Sequence, residues 1–120
     1  MFSKKIKKIK QQLNEKKLDA VFVSSLANIT YLTGYDNFSK DEKDAYLLIT
    51  RRKQFIITDG RYKEEVIAKI SDFKFLERSS DNPLKKIFAE KGKKIKSLGL
   101  EENNLTVSEY KLLKKHFKKL

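Results

Sequence analysis

The sequence predicts an α/β fold: a mixed, mainly five-stranded sheet flanked by helices on both faces. Three observations predict it. Segments with apolar residues at helical spacing alternate with short runs of consecutive apolar residues, the pattern of a sheet covered by helices. Two of those runs, 45–50 and 54–58, are separated only by Arg51-Arg52-Lys53, which implies an antiparallel hairpin and therefore a mixed sheet. A chain of 120 residues holds one core, and no repeat, low-complexity tract or Pro/Gly-rich linker divides it, so residues 1–120 are expected to form a single domain.

The elements follow in order. Phe2, Ile6, Ile9 and Leu13 lie on one helical stripe among lysines and glutamines. Ala20-Val21-Phe22-Val23 reads as a strand buried on both faces, after which Ser24 or Ser25 can cap a helix from Leu26 to about Thr33 that Gly34 stops. Residues 36–44 are polar and acidic and read as an exposed loop with one odd aromatic, Phe38. Beyond the hairpin, Asp59 can cap a helix from about Arg61 to Ile70, with Tyr62, Val66, Ile67, Ile70 and then Phe73 on one face. A strand is expected near Phe73–Glu77. Asn82 suits an N-cap and Pro83 the first helical position of a helix ending at Gly92. Ile95–Leu100 reads as the last strand. Thr106 and Glu109 form a capping box that opens a helix with the stripe Tyr110, Leu113, Phe117 and Leu120. The chain stops inside that pattern, which suggests that more follows in a parent protein.

Composition excludes several classes of function. Without cysteine there is no disulfide, zinc–thiolate site, iron–sulfur cluster or thiol nucleophile, which suits a reducing cytoplasm. No apolar run approaches the roughly 20 residues of a membrane span, and the N-terminus lacks the apolar stretch of a secretory signal. The net charge of +12 is concentrated at the ends: residues 1–18 carry seven lysines against one acid, and 111–120 carry five lysines and none. That could be a footprint for nucleic acid or a set of solvated faces. Only Arg51, Arg52, Arg61 and Arg78 supply the guanidinium fork that phosphate and base recognition favours, so solvated faces are the preferred reading.

Searches for catalytic chemistry fail. The sole histidine, His116, sits among lysines with nothing to orient it, which leaves no triad and no histidine-based metal centre. Asp41, Glu42 and Asp44 could in principle hold a cation, but adjacent acids interleaved with lysines read as a solvated loop. Gly34, Gly60, Gly92 and Gly99 are scattered, build no phosphate loop and read as turns or helix stops. Two polar-aromatic patches remain. One is Asn28-Ile29-Thr30-Tyr31-Leu32-Thr33-Gly34-Tyr35-Asp36; the other is Thr58-Asp59-Gly60-Arg61-Tyr62, at the strand end where α/β folds place ligands. Both also have a structural reading, with Tyr31 in the core, Asp59 as a cap and Arg61 as its ion-pair partner.

Those patches, with Asp19-Ala20-Val21-Phe22-Val23-Ser24-Ser25 before them, Tyr46–Thr50 between them and Leu98-Gly99-Leu100-Glu101 near the end, resemble the N-terminal domain of the creatinase/prolidase family, in the style of bacterial Xaa-Pro aminopeptidases and Xaa-Pro dipeptidases. The resemblance covers nearly the whole chain. It implies the same mixed sheet, a ribonuclease H-like motif, in the non-catalytic domain of a proline-specific metallopeptidase. It further implies that catalysis belongs to a C-terminal domain absent from these residues, where a manganese or cobalt pair is held by aspartates, a histidine and glutamates. No catalytic residue, metal ligand or cofactor is expected in this chain.

The partners so implied are its own C-terminal catalytic domain, a second copy in a homodimer, and short proline-containing peptides whose access the domain gates. Tyr35, Asp36 and Phe38 are the candidates for the segment facing a cleft. Asn28, Tyr31, Asp59, Arg61 and Tyr62 are candidates for a cluster holding the sheet end together. The alternatives are a non-enzymatic peptide- or protein-binding module of the same fold and a basic nucleic-acid-binding module. The terminal helices argue against the last, because their apolar stripes are needed for the core.

Overall fold

The computed structural model describes residues 2–39 and 43–117, with side chains from Lys4 onward. The Phe2 side chain, Leu120, Asp41 and Glu42, named above, lie outside this description. Five strands, Ala20–Val23 (β1), Ala45–Thr50 (β2), Gln54–Asp59 (β3), Lys74–Arg78 (β4) and Leu98–Leu100 (β5), form one sheet in the order β4-β3-β2-β1-β5. β2 pairs antiparallel with both β1 and β3, whereas β1/β5 and β3/β4 are parallel, giving the mixed sheet that the hairpin predicts.

Five helices cover the sheet: Phe2–Glu15 (α1), Leu26–Thr33 (α2), Lys63–Lys69 (α3), Leu84–Lys91 (α4) and Val107–His116 (α5). Successive strand residues point to opposite faces, so a strand covered on both sides must be apolar throughout. Val23, Leu47, Ile49 and Ile56 pack with Ile6, Ile29, Leu32 and Val66 from α1–α3. On the other face Phe22, Leu48 and Ile57 pack with Ile87 and Phe88 of α4, Leu113 of α5 and Phe117 just beyond it. Phe22 lies edge-on to Phe88, and Phe88 edge-on to Phe117, with ring centroids 5.4 and 5.6 Å apart.

Several local expectations change. The helix after β3 opens with a 3-10 turn over Gly60–Tyr62, and Ile67 and Tyr110 are exposed because the core is already closed by Val66 and Ile70, and by Leu113 and Phe117. Tyr31 is exposed rather than core: its ring lies under the Lys5 ammonium, 3.9 Å from the centroid. Asn82 donates its side-chain amide to the Glu77 carbonyl at 2.9 Å, so Pro83 becomes the N-cap and α4 begins at Leu84. β5 starts at Leu98 because the Lys96 and Ser97 amides bond to the Asp19 carboxylate instead of to a strand. Gly99 lies inside β5 rather than in a turn. Gly92 does follow α4, but its backbone is right-handed; a Cβ there would stand 2.1 Å from the His116 carbonyl oxygen, so close approach, not turn geometry, demands glycine. Gly34 is the left-handed cap predicted for α2.

Candidate functional site

The strand directions gather one end of the sheet from the carboxyl ends of β1, β3, β4 and β5 and the start of β2. The predicted patches converge there, in two separate groups.

The first group lies beyond β3. Asp59 caps the 3-10 turn by accepting the Arg61 amide at 3.0 Å and also takes the Arg61 Nε at 3.0 Å, so both structural roles read from sequence are present. Burial alone would raise the Asp59 carboxyl, but the bonds to Arg61 outweigh it and hold the carboxyl below its ordinary value. The organiser of the group is Asp44, which belongs to the loop expected to be solvated and is instead buried. Its Oδ1 accepts from the Arg61 guanidinium at 3.2 Å, while Oδ2 accepts from the Tyr62 hydroxyl at 2.7 Å and from the Ser39 amide at 3.0 Å. Its backbone carbonyl accepts the Thr58 hydroxyl at 2.6 Å. A carboxylate leaves water only where donors replace its hydration, and here Ser39, Arg61 and Tyr62 do so.

Asp44 thereby fixes the loop that follows α2. Tyr35 and Phe38, read as cleft-facing, are both buried: Phe38 stacks edge-on between Tyr35 and Tyr62, at 4.6 and 4.9 Å between centroids. Two aromatic rings at spacing three can turn inward together, and the apolar gain outweighs exposure in a polar loop. What the loop shows to solvent is Asp36 and Asn37. Asn37 is tied to Glu65 at 2.9 Å, and Asp36 makes no hydrogen bond or ion pair with a described residue. The Tyr35 hydroxyl lacks a partner of good geometry, yet burial first and the nearby Glu65 carboxylate second push it up to about 12. It stays neutral at any physiological pH.

The second group joins β1, α2 and β5. Glu101 accepts the Ser24 and Ser25 amides at 2.6 and 2.8 Å, the Ser25 hydroxyl at 2.9 Å and the Asn28 side-chain amide. Burial would raise this carboxyl, but those bonds outweigh it and hold it below its ordinary value. A carboxylate at a helix N-terminus also meets the positive end of the helix dipole. Asn28 therefore does hold the sheet end, through Glu101, whereas Tyr31 takes no part in either group. Between the two groups, Glu109 of the α5 capping box binds the Lys43 ammonium and the Tyr46 hydroxyl, each at 2.6 Å.

Sequence reading missed Asp44, Glu101 and the Lys43–Glu109–Tyr46 set as organisers. Glu101 is 73 to 77 positions from its donors, so no local spacing could reveal it. Asp44 offered one signal, an acid directly before a mainly apolar strand. Among the described residues, no three of His, Cys, Asp and Glu come together in a way that could hold a metal ion. Asp44, Asp59 and Glu101 have their oxygens engaged by hydrogen-bond donors.

Comparison with known proteins agrees with this architecture. The family model described as the creatinase/prolidase N-terminal domain matches residues 5–120. A peptidase of Bacillus subtilis (strain 168) described as uncharacterized, YqhT, is 24% identical over 106 residues, which are 88% of this chain and 29% of that protein. The chain thus spans less than a third of the length of that curated relative. Among solved structures, an Xaa-Pro aminopeptidase from Streptococcus pyogenes superposes with a TM-score of 0.79 at 27% identity, covering 99% of this chain and 87% of that one. An Xaa-Pro dipeptidase from Bacillus anthracis gives a TM-score of 0.83 at 20% identity, a likeness of fold, over 99% of this chain and 32% of that one. With the family model matched over almost its whole length, and the sheet and its two end groups built as described, the chain belongs to the creatinase/prolidase N-terminal domain family.

Proposed function

We propose that this chain is the non-catalytic N-terminal domain of a cytoplasmic proline-specific metallopeptidase, where it supports homodimerisation and gates short Xaa-Pro peptides. The observation that carries this reading is the loop after α2: Tyr35 and Phe38 are buried and anchor it, while Asp36 is exposed and makes no hydrogen bond or ion pair with a described residue. A fixed carboxylate on a rim attracts the free amino group of a short peptide, and the attraction weakens with salt. Of the candidates Tyr35, Asp36 and Phe38, Asp36 is the one exposed to solvent, and the two buried rings act as its mount. The manganese or cobalt pair belongs in this reading to a separate catalytic domain, and no step is assigned to it here.

Hydrolysis of a short Xaa-Pro peptide in the presence of Mn²⁺ tests the reading, comparing the 120-residue chain with the longer protein encoded by its gene. Cleavage by the longer protein alone is the expected result, with Asp36→Asn in that protein raising KM severalfold and leaving kcat nearly unchanged. Cleavage by the short chain would overturn the non-catalytic assignment. If neither cleaves, a non-enzymatic peptide-binding role replaces it.

A further inference from the structure

The opposite end of the sheet is built differently. There the Arg51-Arg52-Lys53 turn faces Lys91, Lys93 and Lys94, which lie at and just beyond the end of α4, across a cleft of about 630 Å³ floored by Phe55 and Ile95. Six cations line it against two acids, Asp19 and Glu90. None of the six forms an ion pair with a described residue, and the Asp19 carboxylate is already committed to the Lys96 and Ser97 amides at 2.8 and 3.2 Å.

Both walls are fixed. The Thr50 hydroxyl accepts the Lys53 and Arg52 amides at 2.9 and 3.3 Å and donates to the Lys53 carbonyl, which locks the turn. Arg51 Nε donates to the Leu18 carbonyl at 2.9 Å, pinning that wall beside the start of β1. Asp19, the next residue, pins the other wall through Lys96 and Ser97. The Lys91 ammonium lies 4.3 Å from the Phe55 ring centroid, held over the floor. Like charges gathered on facing walls repel one another, and an anion between them relieves that repulsion. Two of the chain's four arginines stand here, with the fork geometry that suits phosphate oxygens.

We infer that this cleft is a binding site for a compact oligophosphate anion, the chemistry shared by inorganic tripolyphosphate and nucleoside triphosphates. Six cations exceed the need of a single phosphate. Their placement on two facing walls, rather than along a stripe, suits a short anion better than an extended nucleic-acid backbone. The volume falls within the range of small-molecule sites. This site is independent of peptide gating and lies at the other end of the sheet from it.

The discriminating experiment uses the full chain and three probes: tripolyphosphate, a nucleoside triphosphate and a short single-stranded oligonucleotide. Because the net charge is +12, any polyanion is attracted, so two charge-matched variants are compared. Arg52→Glu with Lys94→Glu alters the cleft; Lys7→Glu with Lys111→Glu makes the same charge change on exposed faces elsewhere. The expected result is that tripolyphosphate raises the Tm of the native chain, and that the cleft pair weakens its binding roughly tenfold or more while the distant pair stays within about twofold. The triphosphate is expected to bind the same cleft, and its affinity relative to tripolyphosphate shows whether a base adds contacts. Equal losses in the two variants, no binding, or tighter and cleft-dependent binding of the oligonucleotide would each overturn the inference. Should the glutamate pair fail to fold, Arg52→Gln with Lys94→Gln gives the same comparison at lower charge contrast.

Discussion

The two ends of the sheet handle charge in opposite ways. At the end where β1, β3, β4 and β5 finish, the key charged groups are matched: Asp44 and Asp59 with Arg61, Glu109 with Lys43, and Glu101 with the amides that open α2. At the end holding the β2–β3 turn, six cations face one another without ion-pair partners among the described residues. Matched charge is spent on holding loops in place, because each bond made is a degree of freedom lost. Unmatched charge remains available to a ligand. The composition shows neither arrangement, since residues 19–110 are nearly neutral in sum while their charges are paired at one end and cations gather at the other.

The comparison is broken most forcefully at Asp44. Asp44→Ala leaves the Tyr62 hydroxyl and the Ser39 amide without their acceptor and frees Arg61 from one of its two carboxylates. Half-buried donors left without this acceptor and a broken, partly exposed ion pair are expected to cost about 2 kcal/mol, a fall in Tm of several degrees by calorimetry. Amide hydrogen exchange is the sharper measurement. Protection at residues 37–39 should collapse while that of β1 and β5 persists, because the second group does not share these bonds. Uniform loss across the sheet would show that Asp44 supports the core rather than the loop.

Glu101 is the next test, and it carries a pH dependence. Its carboxyl, like those of Glu109 and Asp59, is held below the ordinary value in the folded chain. A group depressed on folding binds its proton more readily in the unfolded chain, so its contribution is present above the unfolded pKa and lost as pH falls through the folded one. The native chain should therefore lose stability as pH drops below about 4.5, the ordinary value for Glu101. Glu101→Gln, which puts an amide where four donors converge, is expected to cost about 2 kcal/mol at neutral pH. It should also flatten the acid limb of a plot of Tm against pH. An unchanged acid limb would assign that pH dependence to Glu109 and Asp59.

What sequence could reveal divides along the same physical line. Apolar period and cap chemistry are local, so the five strands, the hairpin, the Thr106–Glu109 box and the Gly34 stop were legible from neighbouring residues. Asp59 and Arg61 were legible too, being two positions apart. Asp44 and Glu101 were not, because an acid looks the same in sequence whether its donors come from water or from residues tens of positions away. Tyr35 and Phe38 misled for a related reason: a polar loop suggests exposure, and only the approach of Tyr62 makes a buried stack possible. The basic cleft was hidden because 51–53 and 91–94 meet only once β1, β2 and β5 align in the sheet.

The smallest expected effect sharpens the comparison by its sign. Arg61 and Arg52 are both exposed arginines at sheet ends, but Arg61 lies between two carboxylates and Arg52 among other cations. Arg61→Ser should lower Tm, since Asp44 and Asp59 lose their shared cation. Arg52→Ser removes a repulsive charge and breaks no ion pair with a described residue, so stability should stay within about 0.5 kcal/mol of native and lean upward. Raising the salt concentration should shrink that gain, because screening already relieves repulsion between exposed charges. Repeating the melts with tripolyphosphate should reverse the order at the cleft: the anion replaces repulsion with attraction, and Arg52→Ser then becomes the less stable chain. A variant that gains stability alone and loses it with the anion bound is the signature of a charge kept for a ligand rather than for the fold.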